Sequence, residues 1–187
     1  MNYSINSHLR GSAETFNKMI GLTGQLESIS QVMLAKLRNK GAVYWFGNGG
    51  SASDAEHLAA ELSGRFAIDR EPINSISLTC NTSAVTAIAN DYGFENIFSR
   101  QVKAHVRPSD VVVGISTSGK SANVLNGLEA ARIIGATTVL LTGNSIEKFS
   151  HIDFVVRAPS QVTAHIQEVH IAIGQAICGY IESEMAK

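Results

Sequence analysis

Val111-Val112-Val113-Gly114-Ile115 runs directly into Ser116-Thr117-Ser118-Gly119-Lys120-Ser121, and this junction decides the fold. The first half is an apolar, β-branched run, which reads as a strand buried on both faces of a parallel sheet. The second half is small and rich in hydroxyls, and a helical pattern follows at 121–134. The same grammar occurs once more. Ala42-Val43-Tyr44-Trp45-Phe46 is followed by Gly47-Asn48-Gly49-Gly50-Ser51 and then by a helical pattern at 52–64. The first N–H groups of a helix lack intrahelical partners and the helix dipole favours negative charge there, so such turns hold anions. Two of them in one small domain predict a pocket for a phosphorylated small molecule.

Outward from these junctions the chain alternates. Strands are predicted at 42–46, 73–79, 111–115, 137–142 and 153–157. Helices are predicted at 52–64, 82–90, 95–105, 121–134 and 163–185. Ser109 and Asp110 precede the third strand, and Gly135 ends the helix before the fourth. Residues 8–40 read as two helices, because Leu22, Leu26, Ile29, Met33 and Leu37 recur every three or four positions. Gly21 and Thr23-Gly24 separate them, and Gly41 closes the second. The expected architecture is a single α/β domain over 1–187. It comprises N-terminal helices at 1–40 and a doubly wound core at 41–187 with a five-stranded parallel sheet. Ligands are expected at the carboxyl ends of the strands.

Composition narrows the function. The 187 residues are 44% hydrophobic and 17% charged, with a net charge of −1. The charged fraction is below the usual quarter or so, which hints at surface covered by further copies of the chain. Scattered Lys and Arg give no basic patch for nucleic acid. No apolar stretch approaches the roughly 20 residues of a membrane span, and Met1–Asn6 do not read as a secretory signal. Cys80 and Cys178 lack metal-type spacing and read as reduced core thiols of a cytoplasmic protein.

His57 and Glu61 are the first candidates for chemistry. Four residues apart, they share one face of the helix that leaves the first turn. The pair can bind a metal or share acid–base work, or it can be an ordinary pair on a solvated face. In the second turn small residues let backbone approach an anion, and the hydroxyls add donors beyond what one helix cap requires. The spacing is neither that of a Walker loop nor of a dinucleotide fingerprint. Asn90-Asp91-Tyr92-Gly93 reads as a helix end, with polar groups that either make a turn or face the pocket. The last helix is apolar nearly all round, as expected of a buried or intersubunit element. Gln167, Ile171, Gly174 and Gln175 share one stripe of it. The two amides there need partners, across an interface or in the site.

Together these segments resemble the sugar isomerase (SIS) domain family, in its phosphoheptose isomerase branch. The motifs that carry the resemblance are Gly47–Ser51, Asp54–Leu62, Ala89–Phe94, Gly114–Ser121 and Ile166–His170. It runs from about residue 10 to the C-terminus. It implies a flavodoxin-like sheet, a homotetramer, and active sites built from more than one subunit. Implied substrate contacts are Asn48, Gly49, Gly50, Glu61, Asn90, Asp91, Ser116, Thr117, Ser118, Ser121 and Gln167. In zinc-containing members the metal is held at the positions of His57, Glu61 and Gln167, plus a histidine that is Gln175 here. Glu61 is implied as the base that moves a proton between the first two sugar carbons through an enediol. The last-helix histidine is its usual partner.

Three positions depart from the family pattern. Gln175 cannot shuttle protons at neutral pH. His165 stands where arginine is usual before Ile166. The stretch after the fourth strand is shortened to Gly143-Asn144-Ser145-Ile146-Glu147-Lys148. His165 or His170 can be entertained as a substitute for the missing histidine, or as an ordinary core or interface residue. The resemblance implies an aldose–ketose isomerase acting on sedoheptulose 7-phosphate and giving D-glycero-D-manno-heptose 7-phosphate, on the route to nucleotide-activated heptose for surface lipopolysaccharide. The alternatives are a non-catalytic tetramer that binds the replication initiator, and an isomerase for a related sugar phosphate.

Overall fold

The apolar runs become strands, and the strands form one sheet. A computed structural model describes residues 4–144 and 147–187. Strands β1 (Val43–Gly47), β2 (Ser75–Ser77), β3 (Val111–Ser116), β4 (Thr137–Thr142) and β5 (Phe154–Arg157) are all parallel, in the order β2-β1-β3-β4-β5. Successive residues on a strand face opposite layers. Val111, Val113 and Ile115 therefore pack with Val43 and Trp45 on one side, whereas Val112 packs with Tyr44 and Phe46 on the other. The first layer is covered by α1 (Ile5–Met19), α2 (Thr23–Arg38), α3 (Gly50–Ser63) and α7 (Thr163–Met185). The second is covered by α4 (Thr82–Tyr92), α5 (Ile97–His105) and α6 (Ala122–Ile134). Gly114 lets α6 close on the sheet, because a Cβ there would lie 2.8 Å from Val124 Cγ1.

Buried polar side chains fix the corners. Asp110 accepts from the Ala42 amide at 2.9 Å and the Arg107 amide at 2.7 Å, pinning the starts of β1 and β3 together. Glu182, near the end of α7 and 1% exposed, accepts from three consecutive amides, those of Phe66, Ala67 and Ile68, at 2.6–3.0 Å. It also pairs with Arg70 Nε at 3.2 Å. Burial alone would raise the Glu182 carboxyl, but these amides and the guanidinium hold it below the ordinary range. Arg70 in turn donates to the carbonyls of Glu61 and Leu62 at 2.9 and 2.8 Å, closing the end of α3.

The observed boundaries differ from the sequence reading where local chemistry is strong. The helix expected from 52 begins at Gly50, because Gly49 takes φ +55° and turns the chain early. Gly24 lies inside α2, and the break falls on a short 3-10 turn at Ile20–Leu22. The strand expected at 73–79 shrinks to three residues at the sheet edge. There Ser77 Oγ accepts from the Thr79 amide and curls the chain away. Asp91 and Tyr92 continue α4 past its expected end at Asn90. Only one of the two cysteines is a core thiol: Cys178 is buried, but Cys80 is exposed. Ser145 and Ile146 of the shortened stretch lie outside the described residues.

Candidate active site

The strand order reverses direction between β1 and β3. In an open α/β sheet the ligand crevice lies at such a switch point, outside the carboxyl ends of the strands. Both turns singled out from the sequence leave the sheet there, and Gly47 of β1 is paired with Ile115 of β3. A pocket of about 170 Å³ opens beside the first turn, lined by Gly47, Asn48, Gly49, Ala52, Thr79, Val85, Phe94, Ile97 and Phe98. A second, of about 180 Å³, opens beside the second turn against Gly143, Asn144, Ser160, Gln161 and Ile166.

The second turn is held by its own hydroxyls. Ser116 and Ser121 pair through their Oγ atoms at 2.9 Å. Ser118 Oγ accepts from the Lys120 amide at 3.1 Å, and Gly119 supplies the left-handed residue at φ +68°. Ser121 stands at the N-terminus of α6 but caps none of its amides, since its hydroxyl turns to Ser116. Val124 N–H is taken by the Asn123 side chain at 2.9 Å, but no Ser121 cap occupies the N–H groups of Ala122 and Asn123 before it, and such groups beside a hydroxyl-lined turn suit an oxyanion such as phosphate.

The first turn meets α7. A Cβ on Gly50 would lie 1.8 Å from Gln167 Nε2, so the Gln167 amide rests directly on the start of α3. Gln167 thus joins the site, as its stripe on α7 allowed. Gly50→Ala is expected to push that amide aside while the fold gives at a flexible side-chain end. Steady-state kinetics should show kcat/KM down by as much as about 10²-fold, with the melting temperature nearly unchanged.

Further along α3, His57 Nε2 and Glu61 Oε1 stand 2.8 Å apart. The pair is asymmetric: the His57 side chain is 51% exposed and that of Glu61 17%. Glu61 turns inward toward α7, close enough that its charge helps burial push the Cys178 thiol up to about 12. Asp54 lies one turn before Leu58 on α3, and the sequence reading places it within a motif without giving it a role. It is buried, its Oδ2 has no hydrogen-bond partner, and burial raises its carboxyl to about 6.

Neither candidate histidine faces the pockets. His165 packs against Gly11 and the His8 ring, whose centroid is 4.8 Å away, while His8 bonds Glu168 at 2.9 Å. His170 is fully buried, with Nε2 3.1 Å from the Thr142 carbonyl. A carbonyl only accepts, so Nε2 carries a proton, and Nδ1 is buried with no hydrogen-bond partner, which leaves the ring neutral. Burial lowers its pKa from 6.5 to about 4. The native state therefore resists a proton that the unfolded chain takes up below pH 6.5, and stability falls as pH drops from 6.5 toward 4. The loss reaches about 3 kcal/mol. Asp54 acts in the opposite sense below about pH 6, so the test is a comparison. Denaturation midpoints of the native protein and of His170→Leu should converge as the pH is lowered through this window.

Asn90 and Asp91 sit exposed at the end of α4. They bond each other at 2.7 Å, and Asp91 lines a separate hollow with Tyr92 and Arg100. Within one chain they do not join the two turns. Gln175 is partly buried on α7. Among the described residues no group of three or more His, Cys, Asp or Glu side chains is gathered as a metal centre. Zinc favours thiolate, imidazole and carboxylate ligands. The implied set of His57, Glu61, Gln167 and Gln175 offers one imidazole and one carboxylate, already bonded to each other, and two neutral amides. This donor set does not fit a firmly held zinc ion.

A doubly wound sheet with a hydroxyl-lined anion turn at its switch point, and a carboxylate on the adjoining helix, defines a sugar-phosphate isomerase domain. The chain belongs to the SIS-domain family, whose model matches residues 10–143, and within it to the phosphoheptose isomerases. It is 46% identical over 186 residues to a phosphoheptose isomerase of Rhodospirillum rubrum, covering 99% of both chains. The structure of phosphoheptose isomerase from Neisseria gonorrhoeae superposes with a TM-score of 0.87 at 38% identity, over 96% of this chain and 97% of that one. That from Francisella tularensis gives 0.89 at 32% identity, over 96% of each.

Proposed function

We propose that this isomerase converts sedoheptulose 7-phosphate to D-glycero-D-manno-heptose 7-phosphate. The observation that carries the reading is the convergence of both strand–helix turns at the β1/β3 switch point, with Glu61 on the helix that leaves the first. The phosphate lies on the hydroxyls of Ser116, Thr117, Ser118 and Ser121 and the open amides of α6. The sugar chain extends past Asn48, Gly49, Gly50 and Gln167 toward Glu61.

Glu61 removes a proton from C1 of the ketose. The C1–H electron pair becomes the C1=C2 bond of an enediol, and the C2 carbonyl oxygen gains a proton. Return of the carbon proton to C2, with loss of the O1 proton, leaves the aldehyde at C1. No oxidant or reductant is consumed. His57 holds the carboxylate through its Nε2 contact. Gln175 contributes hydrogen bonds and no proton, so Glu61 carries the carbon proton both ways. Zinc is held weakly or not at all by this donor set, and no step depends on it. Exposed Ile5, Leu9 and Ile20 on the N-terminal segment, together with the low charge fraction, support assembly into a homotetramer. Asn90 and Asp91 then reach a site on a neighbouring copy. The place of work is the cytoplasm, on the heptose route to lipopolysaccharide.

The test is turnover of sedoheptulose 7-phosphate, followed by NMR of the product and repeated after exhaustive chelation with metal analysis of the protein. Activity that survives chelation is expected. An absence of turnover under all metal conditions overturns the assignment, and strict dependence on zinc overturns the metal reading.

A further inference from the structure

Asn123 is absent from every motif that carries the family resemblance, yet it joins the two turns. It lies in the first turn of α6 and is 3% exposed, beyond reach of a ligand. Asn48, partly exposed, lines the pocket at the first turn. Their amides pair reciprocally. Asn48 Nδ2 donates to Asn123 Oδ1 at 2.9 Å, and Asn123 Nδ2 donates to Asn48 Oδ1 at 2.8 Å. An amide pair alone can face either way round. Here the sense is set by a third group, because the Val124 backbone N–H donates to Asn123 Oδ1 at 2.9 Å. A backbone N–H only donates, so Asn123 must present its oxygen to it. That oxygen then has both lone pairs in use.

We infer that Asn123 is a positioning residue: it fixes the sense of the Asn48 amide, so that Asn48 offers the pocket its remaining N–H. The chain of orientation runs from the α6 backbone through Asn123 to Asn48. The amide NH2 carries two donors, and the pair consumes one. The donor left over suits an acceptor oxygen of the bound sugar phosphate, such as a carbonyl, hydroxyl or phosphoryl oxygen. The same link couples the turn after β1 to the helix after β3, so the two halves of the cradle keep a fixed spacing. This inference rests on the sugar-phosphate reading of the site.

Asn123→Asp tests it. The variant keeps size and an acceptor for Val124, and a negative charge is favourable at a helix start. A carboxylate only accepts, however. It draws the Asn48 NH2 to itself and turns the Asn48 oxygen toward the ligand. The expected result is a KM for sedoheptulose 7-phosphate raised about tenfold or more, with kcat changed far less. Made in an Asn48→Ala background, the same substitution should shift KM by less than about twofold, because the residue it acts through is gone. Equal KM shifts in both backgrounds, or none in the native background, overturn the inference. Asn123→Ser, which removes the amide without adding charge, is read in the same two backgrounds in case the aspartate unfolds α6. Wild-type turnover is the control, since its absence would defeat the functional reading and not this one.

Discussion

Glu61→Gln should lower kcat for sedoheptulose 7-phosphate by about two to four orders of magnitude, the usual worth of a positioned general base. The substitution is nearly isosteric, and the glutamine oxygen can still meet His57 Nε2 at the distance seen for Oε1. The melting temperature and the KM should therefore move little, and the loss should fall on the chemical step. His57→Gln should cost less, about tenfold, because it removes the group that holds the carboxylate and leaves the carboxylate itself. Deuterium exchange from solvent into C1 of the ketose is the sharper measurement, since it follows enediol formation alone. Exchange that persists in the Glu61→Gln variant would place the base elsewhere.

Glu182→Ala should be the most damaging single change to stability. Its carboxylate satisfies three amides and faces Arg70, whose side chain is only 5% exposed. Truncation strands all of them and leaves a buried guanidinium without its counter-charge, which costs about 3–5 kcal/mol. For a chain of this size that is a fall in melting temperature of roughly 10 °C or more. The consequence extends to the active site, because Arg70 also terminates α3 through the carbonyl of Glu61. Catalysis should weaken even at temperatures where the protein remains folded. Arg70→Met leaves the Glu182 carboxylate without its counter-charge but still bonded to three amides, so a milder loss is expected there. Chemical denaturation at pH 7 compares the two, and equal losses would contradict the stranded-charge account.

Much of the fold was legible because its physics is local. The runs 42–46 and 111–115 are apolar throughout and 137–142 is apolar and β-branched, as strands buried on both faces demand, and all three became inner strands. The edge strand was not bounded correctly, since Ile76 is exposed and a side-chain bond at Ser77 ends the pairing. The two turns were legible as strand–helix junctions expected to share one pocket, but the strand order that makes β1 and β3 neighbours was not, because it is a tertiary property. Gln167 entered through its stripe on the last helix, where its amide needed a partner in the site or across an interface, and through the family resemblance. Nothing in its spacing reveals that it rests on Gly50. Asn123, Asp54 and Glu182 have no role in the sequence reading for one shared reason. A polar residue within a helical pattern looks solvated until the tertiary contacts that bury it are known.

The unequal burial of the two sulfurs has a practical consequence. Thiol reagents attack the thiolate, and Cys178, pushed up to about 12 and enclosed between α3 and α7, presents almost none at neutral pH. Cys80 is accessible and directly follows Thr79, which lines the pocket at the first turn. A maleimide fluorophore would therefore attach at one known place in each copy without any engineering, next to the pocket, and its emission would report occupancy by substrate in real time.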